Sequence, residues 1–298
     1  MDRKVYKKEA YKVSLISIIS NVFLMIFKLI AGLVTFSYAM ISDAVHTASD
    51  VFTSIIVIIG IKISSKDSDE NHEYGHERFE CIAAILLAVM LFATGVGILY
   101  VAIEKMIKGN YEVLAFGWLA LVAAIVSIIV KEVMFQLTIR VSKKINSSAL
   151  KADAWHHRSD ALSSIGSLIG VVGAMLGVPV LDSVASLIIC LFILKAAFDI
   201  FKDAVSKLTD EACDKQVETD IYNVISETEG VKQIDNLKTR KFGDRVYVQV
   251  DICALSSLTL PQSHDIAERV EKNVKEKFNF VKDCFVHINP IEEKNKVE

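Results

Sequence analysis

Apolar residues form long uninterrupted runs along this chain, and the places where polar residues break in are few and patterned. Residues 81–103, 113–130 and 161–181 contain no charged side chain. Each run is long enough to cross about 30 Å of hydrocarbon as a helix. Three further runs are interrupted by isolated charges: 13–38 by Lys28, 39–63 by Asp43, His46, Asp50 and Lys62, and 178–201 by Asp182, Lys195 and Asp199. Six spans follow if those charges face a bundle interior or snorkel to an interface. After about residue 208 the hydrophobicity falls, and the pattern becomes helix, strand, strand, helix, strand. Residues 214–228 have helical periodicity, strands at 231–239 and 245–254 flank a turn at Gly243-Asp244, and 261–279 is an amphipathic helix with Ile266, Val270, Val274 and Phe278 four apart. The last strand is 281–288. Val246, Val248, Val250 and Ile252 alternate with Tyr247, Gln249 and Asp251, which predicts a sheet with one covered face.

The predicted organisation is a basic segment at 1–12, a membrane domain at 13–208, a soluble domain at 209–291 and a charged tail at 292–298. The soluble part is only about 80 residues, so its core is modest and pairing with a second copy is expected. A hydrophobic content of 52% and a mean hydropathy of +0.41 place the chain among integral membrane proteins. Arg3, Lys4, Lys7, Lys8 and Lys12 precede the first span, and Arg140, Lys143 and Lys144 follow the fourth. By the positive-inside rule both termini are cytoplasmic. The first apolar run is too long for a cleavable signal. Cys81, Cys190, Cys213, Cys253 and Cys284 form no C-x-x-C pair and read as reduced thiols, and a net charge of -3 gives no reason to invoke nucleic acid.

The chemistry concentrates in a repeated motif. Residues 42–50 (SDAVHTASD) and 152–160 (ADAWHHRSD) share D-x-x-H-x-x-x-D, and Asp50, Ser54, Ile55, Ile59 and Gly60 recur as Asp160, Ser164, Ile165, Ile169 and Gly170. In a helix His46 and Asp50 share a face, as do His156 and Asp160, so two facing helices would offer two imidazoles and two carboxylates to one point. Polar glue between membrane helices usually uses Ser, Thr or Asn at lower desolvation cost, so the quartet reads as a metal site rather than as a structural ion-pair network. Nitrogen plus oxygen donors suit a tetrahedral divalent ion, zinc above all. A bound dication cancels the two carboxylates, and protons on the imidazoles would compete for the same lone pairs. Asp43 and Asp153, two turns earlier, are outer ligands, proton relays or helix-end charges. His157 is set aside as a ligand because His156 has the matching spacing. Ser49 and Ser159 read as packing residues or supporting donors.

Between the second and third spans, Asp69, His72 and His76 read as a shallow metal site in a cytoplasmic loop. Residues 72–76 also match H-E-x-x-H, but a metalloprotease needs that motif in a stable helix, and Gly75 with charged flanks argues for a loop. In the soluble domain His264 and His287 remain, with Asp235 and Asp251 as companions.

Together these motifs resemble the cation diffusion facilitator family over essentially the whole chain. The resemblance implies six transmembrane helices and a cytoplasmic ferredoxin-like (αββαβ) domain that dimerises. It also implies a divalent-metal/proton antiporter in place of an enzyme. It maps the transport site to His46, Asp50, His156 and Asp160, the H-x-x-x-D pair of the zinc branch, and a loop site to Asp69, His72 and His76. Arg78 and Asp210 match a charge interlock. In the soluble domain Asp235 and Asp251 stand where zinc-binding relatives often have histidine, and Asn289 where a carboxylate can follow, so only His264 and His287 match. The expected activity is export of Zn²⁺ from the cytosol in exchange for protons by alternating access, across a cell inner or plasma membrane. Mn²⁺, Fe²⁺, Co²⁺ and Cd²⁺ are the alternative ions, and a non-transporting membrane metal sensor is the alternative function.

Overall fold

The computed structural model describes residues 3–34, 38–108, 118–175 and 180–292. Six helices of 27 to 32 residues come first: α1 (Arg3–Val34), α2 (Tyr38–Ser64), α3 (Arg78–Lys108), α4 (Trp118–Ile145), α5 (Ser148–Met175) and α6 (Val180–Leu208). Contacts divide the chain into one compact unit up to Val205 and another from Ser206 onward.

In the helical unit the polarity of a soluble protein is turned inside out. On α1, Ser14, Ser17, Asn21 and Lys28 are buried, while Leu15, Ile19, Phe23 and Ile30 are exposed. An outer surface of this kind is stable against lipid, where apolar side chains cost nothing and polar ones must be paired within the bundle. Among the described residues, five helices contain spans apolar enough to cross a membrane, namely Val5–Val34, Asp43–Ser64, Arg78–Lys108, Val122–Ile145 and Ser183–Leu208. The sixth, α5, has the length but carries the polar turns at 151–160. Small residues set the helix spacing: a Cβ added at Gly60 on α2 would lie 2.6 Å from the Ala83 Cβ on α3.

Three expectations change. The basic segment at 1–12 is not separate, because α1 runs through it from Arg3 with no breaker, burying Tyr6 and Ala10. The charge-free window 161–181 is not one span, since α5 begins at Ser148 and ends at Met175, and Val180 and Leu181 belong to α6. The window 113–130 stops short, because α4 continues through Lys131 to Ile145. A charge ends a hydropathy window without ending a helix when the bundle can pair it. Residues 1–2, 35–37, 109–117, 176–179 and 293–298, which include parts of the predicted spans and most of the charged tail, lie outside the described residues.

The second unit has the predicted order: α7 (Lys215–Ser226), β1 (Gln233–Phe242), β2 (Arg245–Leu255), α8 (Leu260–Lys277) and β3 (Val281–Ile291). Strands β1 and β2 pair antiparallel, and β3 lies parallel to β2 after the α8 crossover, giving the sheet order β1-β2-β3 of an αββαβ ferredoxin-like domain. The hairpin turns at Gly243, whose φ of 63° is the left-handed region that favours glycine. At the start of α8, Gln262 Oε1 accepts the Thr259 backbone N–H at 2.9 Å. Ile221 and Ile225 of α7, Val248, Val250 and Ile252 of β2, and Ile266, Val270 and Val274 of α8 form the core. Burying each stabilises the fold by roughly 1.5–3 kcal/mol. Tyr247, expected on the open face, is also buried, because Phe242 packs edge-on at 5.3 Å, Phe285 stacks at 6.3 Å and Arg240 lies over its ring. The second face is therefore partly covered by its own aromatic cluster.

Candidate metal centre

The helix repeat dictates the pairing. His46 and Asp50 lie one turn apart on α2, and His156 and Asp160 one turn apart on α5, so each helix presents an imidazole and a carboxylate on one face. The two faces meet. Asp50, 2% exposed, has its Oδ1 3.2 Å from His156 Nε2, which lies 4.0 Å from Asp160 Oδ2. His46 Nε2 is 3.9 Å from Asp160 Oδ1. Ligand atoms of His46, Asp50 and Asp160 all fall within 4.8 Å of one another. A small contraction would bring them to the 2.0–2.2 Å shell of a transition metal. A cavity of about 440 Å³ opens beside them, and His46, Asp50 and Asp160 are on its wall.

Sequence reasoning missed one member of this cluster. Lys131 of α4 is 2% exposed, and its Nζ donates to Asp50 Oδ2 at 2.6 Å and to Asp160 Oδ2 at 2.7 Å. The apolar residues Val133, Met134, Phe135 and Leu137, continuing without a breaker, were the available signal that this lysine sits inside a helix and not at its end.

The outer aspartates stand apart from the quartet and differ from each other. Asp43 is half-exposed and takes the Lys28 ammonium at 2.8 Å, and Lys28 also donates to Thr47 Oγ1 at 3.0 Å. Asp153 is fully buried, with His157 Nε2 at 3.5 Å and the Ser54 hydroxyl at 3.5 Å. His157 Nε2 lies 3.2 Å from Ser17 Oγ, so this imidazole faces α1 and not the carboxylate pair. Ser49 is bonded to the Val45 carbonyl, whereas Ser159 Oγ is buried on the cavity side without a partner among the described residues.

The loop between α2 and α3 gathers the second group. His72 Nδ1 is 3.4 Å and His76 Nε2 is 3.3 Å from the Asp69 carboxylate, and ligand atoms of the three lie within 4.8 Å of one another. His76 Nδ1 faces the Asp67 carbonyl at 3.0 Å. A carbonyl only accepts, so Nδ1 donates to it, and Nε2 is the ring nitrogen turned toward Asp69. The backbone N–H of His72 (2.8 Å), helped by that of Asn71 (3.1 Å), holds the Asp69 carboxyl below the usual carboxylate range. Residues 65–77 contain no helix, and Gly75 sits at φ 94°, so the H-E-x-x-H match lacks the helical face a metalloprotease needs.

The four residues singled out in the C-terminal domain do not converge as one group, although Asp251 and His287 are register neighbours. Asp235 accepts from the Cys253 thiol (3.1 Å), Asn289 (2.9 Å) and Gln233 (3.0 Å). Those bonds, the thiol first, keep it below the usual carboxylate range. Asp251 accepts from Asn236 at 3.1 Å and faces His287 across the β2–β3 register. His264 pairs with Glu268 at 3.3 Å along α8. Among the described residues they form no three-ligand cluster.

Known proteins resemble this chain over both of its regions. The family model described as the cation efflux transmembrane domain matches residues 14–209, and that of the cation efflux protein, cytoplasmic domain, matches residues 213–291. The chain is 38% identical to an uncharacterized transporter of Methanocaldococcus jannaschii, covering 96% of this chain and all of that one. It is 33% identical to the manganese efflux system protein MneP of Bacillus subtilis, over 94% of this chain and 95% of that one. It is equally 33% identical to MneS of the same organism, over 99% and 100%. With both of its regions matched, this multi-pass membrane protein belongs to the cation diffusion facilitator family of metal efflux transporters.

Proposed function

We propose that this transporter exports Zn²⁺ in exchange for protons through a site formed by His46, Asp50, His156 and Asp160. The observation that carries the reading is the convergence of carboxylates from α2 and α5, with imidazoles from both helices, beside a cavity. Two carboxylates neutralise a dication, and two imidazoles favour zinc among the hard and borderline metals. Metal enters between α2 and α5 from the cytosol, loses its water to the four donors, and leaves on the far side as the helices rock. Protons then take the vacated lone pairs and return inward. Both termini are cytoplasmic in this scheme, the C-terminal domain pairs two copies, and Asp69, His72 and His76 hold a second ion with a supporting role.

Manganese is the second reading, favoured by the names of MneP and MneS, each a third identical to this chain. Proteoliposomes containing the purified chain, an imposed pH gradient, a proton-sensitive dye and either Zn²⁺ or Mn²⁺ distinguish the two. Zinc flux coupled to acid movement and exceeding manganese flux is the expected result. Preferential manganese flux would reassign the ion, and metal flux that leaves the dye unchanged would remove the antiport. Absence of directional flux for every metal would indicate a sensor.

A further inference from the structure

At the centre of the carboxylate pair stands a group for which the transport scheme has no role. Lys131 Nζ lies 2.6 Å from Asp50 Oδ2 and 2.7 Å from Asp160 Oδ2, with its side chain 3% exposed. It therefore bridges α2 and α5 from α4 at the point both carboxylates would offer to a metal. A dication bound to the same oxygens at about 2.0–2.2 Å would stand within van der Waals distance of that ammonium. Two cations at such a separation in a protein interior repel too strongly to coexist. Metal and ammonium are mutually exclusive occupants.

We infer that Lys131 is a tethered competitor, an internal cation that holds the carboxylate pair while metal is away and has to swing out for metal to bind. This rests on the transport-site reading above. The space for the swing exists, since the cavity beside the pair is lined by Lys131 itself together with Ser127, Ser159, Ser163 and Ser164. The Ser159 hydroxyl, buried and without a partner among the described residues, offers an acceptor there. Four flexible methylenes let the ammonium travel without moving α4.

Two consequences follow for transport. The metal-free pair carries one net negative charge in place of two, so the unloaded site crosses the membrane interior at lower desolvation cost. Metal affinity is also reduced by the fraction of time the ammonium holds the site, which eases release. A monovalent ion gains nothing by replacing an ammonium of the same charge, whereas a dication does, so the lysine also favours divalent cargo.

The test uses the full chain in lipid nanodiscs, in an Asp69→Asn, His72→Ala background that silences the loop cluster. Calorimetric titration with Zn²⁺ and with Mn²⁺ should show Lys131→Met and Lys131→Gln binding about ten- to a hundredfold more tightly than the parent. Equal or weaker binding in both would overturn the inference. Should Lys131→Met fail to fold, the glutamine variant, which retains hydrogen-bond donors without charge, decides. Independently, reductive methylation of the unsubstituted chain, read by mass spectrometry, should label Lys131 more when metal is saturating. Labelling that stays level or falls counts against displacement. Asp50→Asn in the same titration separates the two layers: retained metal binding there would sink the transport site and the competitor with it, whereas lost binding there with no tightening in the Lys131 variants would sink the competitor alone.

Discussion

The two copies of the D-x-x-H-x-x-x-D motif are nearly interchangeable as sequence, yet the fold gives them opposite surroundings. On α2 the His46 side chain is 57% exposed along the cavity, and the half-exposed Asp43 pairs with Lys28 on the same cavity wall. On α5 the His156 side chain is 9% exposed, and Asp153 and His157 are entirely buried against α1 and α2. The difference teaches that a repeated motif need not make a symmetric site. The imidazole of one copy stands open along the cavity and that of the other is packed into the bundle, while Asp50 and Asp160 both reach the cavity wall.

The sharpest attack on this contrast is at the residues where the halves should be equal. Asp50→Asn and Asp160→Asn are each expected to reduce metal flux in proteoliposomes to the protein-free background, because each carboxylate supplies charge that no neighbour replaces. Near-normal flux in either would dissolve the pairing. The imidazoles should separate the halves: His156→Ala is expected to weaken metal binding on the order of a hundredfold, and the more exposed His46→Ala only about tenfold, since water can take its place. Titration calorimetry decides the order, and equal losses would mean that burial does not distinguish the copies.

Smaller effects are expected from the outer aspartates, read as stability and not as transport. Asp153→Ala removes one member of a fully buried polar pair and should cost about 3 kcal/mol. Asp43→Ala, at an ion pair whose aspartate is half-exposed but whose buried Lys28 would keep only the Thr47 hydroxyl, should cost about 2 kcal/mol. Thermal unfolding of the full chain in detergent measures both. Asp69→Asn, outside both copies, should leave flux close to the parent rate while abolishing metal binding by the loop. Its lowered native pKa fixes the sign of the pH dependence. The ionised carboxylate contributes to loop stability above its unfolded value, and that contribution is lost as pH falls through the lower folded one. Loop order followed by amide exchange across acidic pH should show this decline in the parent and a flat profile in the variant.

Much of this was legible along the chain. Helical periodicity and binary pattern located the helices and strands, because lipid and a single-faced sheet each impose a repeat that composition cannot hide. The carboxylates of the quartet were legible because ionisable residues in apolar runs are too costly to be incidental. Lys131 was not, since a lysine following eighteen uncharged residues looks the same in sequence whether it caps a span or lies within one. Nor did alternation reveal Tyr247, whose burial depends on Phe242 and Phe285 arriving from neighbouring strands.

By itself, then, the order of residues determined six membrane-length helices, an αββαβ domain and the two helical turns that bear the ligand types, since all of these depend on local spacing and on the solvent each face meets. Only the packed bundle decided which imidazole lies open and which is enclosed, and that an ammonium from a third helix stands between the aspartates. Those outcomes depend on distances between residues 29 to 106 positions apart on different helices, which side-chain spacing along one helix does not encode.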